Sequence, residues 1–185
     1  SSAASDVYKR QLLCILKVRS TLLNKLFNYV STLTFNPNGS LLAAGDWCGS
    51  VHLWDLQAGM SKPKERIYEY IPHDQKILGT NAPVVQGLAF NHDGSLWASG
   101  SLDGTIQIRQ TSTGICLHNI VFPEQVSDLV WSNTHYLAVI GKKGTVAVWQ
   151  INQTENPILQ WTNHQGTKLT VSNLCLLYTS EAADD

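Results

Sequence analysis

Any chemistry in this chain of 185 residues has to come from its histidines, cysteines and carboxylates. The six histidines lie at 52, 73, 92, 118, 135 and 164, and none of them makes an HxH or HExxH spacing. No metal-ligand set is therefore written into the chain. His52 sits on the polar side of an alternating segment, and His92 and His135 fall in turns, so solvated or capped side chains are expected there. His73-Asp74 could serve as a base with its orienting carboxylate, but no nucleophile pairs with it. A G-x-S-x-G elbow, a P-loop and a Rossmann glycine run are all missing from the sequence. Cys14, Cys48, Cys116 and Cys175 form no CxxC pair and read as inert thiols of a reducing compartment, here the cytoplasm. The expectation is a chain with no catalytic residue, no metal and no cofactor.

The bulk composition narrows the partners. Thirteen basic residues against fourteen acidic ones leave a net charge of −1, which supplies no electrostatic footprint for nucleic acid or an anionic membrane. No apolar run approaches the roughly 18 residues of a membrane-spanning helix. With 43% hydrophobic and only 15% charged residues, the chain can bury a core.

The two ends read as foreign to the fold. Residues 1–11, SSAASDVYKRQ, resemble a translated transposase-type sequencing adapter. The reverse complement of the corresponding DNA, read from its second base, gives C-L-L-Y-T-S-D-A-A-D. The chain closes with CLLYTSEAADD, which differs from that reading only at Glu181. Residues 1–11 and 175–185 are accordingly expected to be adapter-derived, leaving residues 12–174 as native.

Within that stretch three segments align with one another. Val30–Gly59 and Val85–Gly114 match at a constant offset of 55, and Val126–Ile151 follows at about 40 with one residue deleted in its first turn. Each copy reads as three strands. The first carries Val30, Leu33 and Phe35, then Val85, Leu88 and Phe90, then Val126, Leu129 and Trp131. The second is rich in small and apolar residues (41–45, 96–100, 136–140), and the third alternates, with Val51 and Leu53, Ile106 and Ile108, Val146 and Val148. Asn38-Gly39 and Asp93-Gly94 suit the first hairpin; Cys48-Gly49, Asp103-Gly104 and Lys143-Gly144 suit the second. A fourth strand is expected at 66–71, 115–122 and 157–161. Trp54, Trp97 and Trp149 lie in strands and are expected in the core.

Four antiparallel strands per repeat, F-N-x-x-G-S at the first hairpin and Trp54-Asp55 ending a third strand resemble the WD-repeat β-propeller family. The resemblance covers about 135 residues and implies an all-β partial propeller of about three blades. It also implies a bracing network of His, Ser or Thr, Asp and Trp in each blade, which no blade here supplies in full. Ala44, Arg109, Val139 and Lys143 stand at its positions, and Asp46 is displaced by two. Apolar packing is expected to carry more of the load. An open three-blade arc leaves apolar faces uncovered, so the chain is expected to be marginal or prone to aggregation alone.

In the family the second hairpin and the entry to the first strand share one face. Carried over, that face holds Asp46, Trp47, Leu102, Lys142, Lys143, the long loop from His73 to Pro83, and Pro123–Gln125. Trp47 is the leading candidate, because an indole in an exposed turn is suited to anchoring a partner. The function implied is a non-catalytic protein-interaction scaffold. Two alternatives stand beside it, a regulatory propeller of a nucleotide-dependent signalling protein and a piece of a propeller enzyme.

Overall fold

The computed structural model describes residues 29–57, 64–68, 83–132, 135–151 and 156–162. The adapter-like ends, His73 and the loop through residue 82 lie outside the described residues. Alternation of apolar and polar residues, broken by Gly-containing turns, yields twelve strands in three antiparallel sheets. Blade 1 comprises β1 (Val30–Phe35), β2 (Leu41–Asp46), β3 (Val51–Asp55) and β4 (Lys64–Tyr68). Blade 2 comprises β5 (Val85–Phe90), β6 (Leu96–Ser101), β7 (Thr105–Gln110) and β8 (Cys116–Val121). Blade 3 comprises β9 (Val126–Trp131), β10 (Tyr136–Gly141), β11 (Thr145–Gln150) and β12 (Leu159–Thr162). In each sheet the strands pair in chain order, and β5 packs against β1 on one side and β9 on the other. The fold is a partial all-β propeller.

The first hairpin explains why F-N-x-x-G-S recurs. Asn36 Oδ1 accepts the Leu41 N–H at 2.8 Å while its Nδ2 donates to Ser40 Oγ at 3.0 Å. Asn91 repeats this with Leu96 and Ser95 at 2.9 and 3.2 Å. Asn38 and Asp93 each accept the N–H of the serine two residues on. The motif's Asn, its Asn38 or Asp93 and its Ser are thus engaged in closing the turn.

Blades stack through two apolar seams. Ala43, Val51 and Leu53 meet Val85, Leu88, Phe90 and Trp97 in the first. Ala98, Ile106, Ile108 and Phe122 meet Leu129, Leu137, Val139 and Trp149 in the second, with the Phe122 and Trp149 rings edge to face at 6.0 Å. Trp54, Trp97 and Trp149 are buried. Blade 2 has Arg109 where Trp54 and Trp149 stand, and the register shows the exchange that accommodates it. Leu42 faces Trp54 and Leu137 faces Trp149, whereas Trp97 faces Arg109. The indole has moved across the strand pair, and Arg109 turns to the Gly114 carbonyl and to Gln107.

Candidate interaction face

The second hairpins gather at the end of the blades opposite the F-N-x-x-G-S turns. Gly49, Gly104 and Gly144 carry φ of 85°, 89° and 92°, which a side chain would strain. One hydrogen bond recurs in every blade and ties this turn to the entry of the innermost strand. Trp47 N–H donates to Tyr29 O at 3.0 Å, Leu102 N–H to Val84 O at 2.9 Å, and Lys142 N–H to Gln125 O at 2.9 Å. Trp47, Leu102 and Lys142 therefore occupy the same place in three successive blades, with three different side chains. Trp47 is 49% exposed and its ring stands edge-on to that of Tyr29 at 5.4 Å. Leu102 is half-buried, and Lys142 and Lys143 are exposed.

Each turn must also satisfy two inward amides, and a different carboxylate serves each blade. In blade 1, Asp46 Oδ1 accepts Cys48 N–H at 2.9 Å and Ser50 N–H at 2.8 Å. In blade 2, Ser101 Oγ accepts Asp103 N–H at 3.2 Å, and Asp103 Oδ1 accepts Thr105 N–H at 2.9 Å. In blade 3 the equivalent positions are Gly141 and Lys143, whose side chains offer no acceptor. Glu124, from the loop entering β9, takes Lys143 N–H on one oxygen and Thr145 N–H on the other, the latter at 3.0 Å. Its carboxyl fills the space beside Gly141 into which the Asp46 side chain projects in blade 1.

These observations correct two expectations. Asp46 is buried and spent on its own turn, so it offers no carboxylate to a partner. A strand-end Asp faces inward here because the two amides behind the turn demand an acceptor. His52 is neither solvated nor turn-capping: it is buried on β3, its Nε2 lies 3.3 Å from Asp46 Oδ2, and its ring stacks on Trp54 at 5.8 Å. Beside the apolar seams, a carboxylate caps every second hairpin, which is polar bracing of another kind than the family network. Sequence reasoning missed Tyr29, which was legible as the residue one position before the repeat. It placed Glu124 on this face, within 123–125, but not its role as the acceptor of the blade 3 turn, of which the trace is Lys143 standing where an acid belongs.

The electrostatics of this face follow from where those carboxylates go. Burial first, and the nearby Asp46 charge second, push the Cys48 thiol up, so it stays protonated at neutral pH. Tyr29, Trp47 and Cys48 thus form an uncharged end, and Lys142 and Lys143 a cationic one. Among the described residues, no group of three or more His, Cys, Asp or Glu is placed to hold a metal ion.

Comparison with known proteins agrees with this architecture. The family model "WD domain, G-beta repeat" matches residues 20–55, and "Anaphase-promoting complex subunit 4 WD40 domain" matches residues 62–134. The chain is 28% identical over 130 residues to the COMPASS component SWD3 of Saccharomyces cerevisiae, covering 65% of this chain and 38% of that protein. It is 32% identical over 133 residues to the meiosis-specific APC/C activator protein AMA1 of the same yeast, covering 70% and 19%. A solved structure of U3-55K superposes with a TM-score of 0.59 at 22% identity, covering 78% of this chain and 42% of that one. The chain therefore spans less than half the length of each of these proteins. Motif register, sheet topology and these likenesses converge: the chain belongs to the WD-repeat β-propeller family and carries about three of its blades.

Proposed function

We propose that the chain is part of a protein-interaction scaffold whose second-hairpin face docks a protein partner. The observation that carries this reading is the thrice-repeated position held by Trp47, Leu102 and Lys142. One backbone hydrogen bond brings these residues to a common face, and the side chains displayed there differ from blade to blade. A shared frame with varied display suits recognition better than packing. Trp47 is the anchor, with about half of its surface still available for burial. Lys142 and Lys143 add a cationic rim that speeds association with an acidic surface more than it tightens it. Relatives named as a COMPASS component and an APC/C activator support a role within protein assemblies. The near-neutral charge supports protein rather than nucleic acid as the partner.

A photoreactive amino acid placed at position 47 tests this reading against one placed at Asp93, on the opposite end of blade 2. Cross-linking in lysate of the source cells should yield discrete protein adducts from position 47, suppressed by Leu102→Ala with Lys142→Ala, and few from position 93. Equal labelling from both ends would sink the proposal.

A further inference from the structure

We infer that Asp46 and His52 are positioning residues for the Trp47 turn, which they hold through a buried relay rather than through the turn itself. In its functional part this rests on the binding face proposed above. The relay runs from the core outward. Trp54 is buried and stacks on the His52 imidazole with ring planes 14° apart. Ala44, the register partner of His52 on β2, is small enough to leave the imidazole its place. His52 Nε2 lies 3.3 Å from Asp46 Oδ2, and an N–H at that nitrogen donates to the carboxylate oxygen. Asp46 Oδ1 then holds Cys48 N–H and Ser50 N–H, and the Asp46 N–H donates to Ser50 O at 3.0 Å. Both carboxylate oxygens are thereby fixed, and Trp47 leaves the very next Cα.

Blade 2 shows what this arrangement changes. Asp103 stands at the position of Cys48, inside the turn, and takes Thr105 N–H and Thr105 Oγ1–H on one oxygen at 2.9 and 2.7 Å. That turn caps itself at the cost of a carboxylate in its outer loop. Blade 1 moves the acid two residues back into the sheet, where it is buried, and a buried carboxylate needs a partner on each oxygen. His52 supplies the second. The gain is a turn whose own Trp47 and Cys48 carry no charge beside the indole, suited to an apolar side chain of the partner.

Hydrogen exchange at individual amides of the full chain tests the relay without any partner. Cys48 and Ser50 amides report the blade 1 turn, and the Thr105 amide reports the self-capped turn of blade 2. In His52→Leu the first two should exchange about tenfold faster, the worth of one hydrogen bond, while Thr105 keeps its rate. His52→Gln, which restores an N–H donor, should bring them back toward wild type. Unchanged Cys48 and Ser50 amides in His52→Leu would overturn the relay. So would acceleration of Thr105 in step with them, since His52 would then support the whole blade stack. The cross-link yield from position 47 should fall with His52→Leu and recover with His52→Gln. A yield indifferent to both variants, with the turn opened, would remove the functional part. If no partner cross-links at all, the binding face fails and the exchange result still decides the relay.

Discussion

Blades 1 and 2 carry the same first strand into opposite surroundings. Leu33 and Phe35 of β1 are 61% and 59% exposed, whereas Leu88 and Phe90, their equivalents in β5, are 6% and 8% exposed. The residue types match and the turn chemistry at the strand end is the same. Only the neighbour differs, because β5 has blade 1's Ala43, Val51 and Leu53 against it. A blade in this fold is thus half of a core, completed by the blade before it. Among the described residues no other blade covers the apolar side chains of β1.

The largest test of this contrast is a pair of truncations. Leu88→Ala should cost about 2–5 kcal/mol by chemical denaturation, and Leu33→Ala less than about 1 kcal/mol. Similar losses at both sites would mean that something covers β1 as fully as blade 1 covers β5.

The seam glycines give a second, somewhat smaller contrast. A Cβ on Gly45 would meet Val85 Cγ1 at 2.6 Å, and a Cβ on Gly100 would collide with Val126 in the same way. Gly100→Ala should destabilise by about 1–3 kcal/mol through overpacking. Gly39→Ala, where φ is 70° but nothing lies within 4 Å, should cost about 1 kcal/mol or less. A thermal-melt series that ranked Gly39 above Gly100 would show that the seams tolerate rearrangement.

Glu124 crosses from the loop after blade 2 into the blade 3 turn, so removing it probes whether the second seam relies on polar bracing. Glu124→Ala should cost about 1–2 kcal/mol and speed exchange at the Lys143 and Thr145 amides. No change at those amides would return the load to apolar packing alone.

The smallest effect concerns Asp128, which stands on β9 where blade 2 has Gly87. Burial holds its carboxyl above the usual carboxylate range, opposed in part by the Leu129 N–H it accepts at 2.8 Å. A raised acid is penalised when ionised, so its cost is absent below the ordinary carboxylate range and grows as pH rises through the raised one. Asp128→Asn should therefore give a small gain in stability at neutral pH that disappears in acid. A gain that persists unchanged at low pH would assign it to packing instead.

Much of this architecture is legible in the sequence for a local reason. Asn38-Gly39, Asp93-Gly94 and the glycines of the second hairpins need φ > 0 whatever surrounds them, and alternation marks the strands between them. The placement of Trp47, Leu102 and Lys142 on a common face followed from the repeat, since equal positions in equal blades must project alike. The fate of Asp46 and His52 was not legible. Six residues apart, they look like a polar turn and a polar strand face, and nothing in their spacing says that the outer side of β3 is buried.

What the chain determined by itself was the blade: strand lengths, turn types, register and the apolar stripe on each face, all set by residues within a few positions of one another. Tertiary structure decided which stripe is core and which is surface, because burial depends on the next blade. It also decided where each turn finds its carboxylate. Those amides are satisfied by whichever acceptor the packed blades bring within reach, and for blade 3 that acceptor, Glu124, lies 19 residues away from Lys143 in sequence.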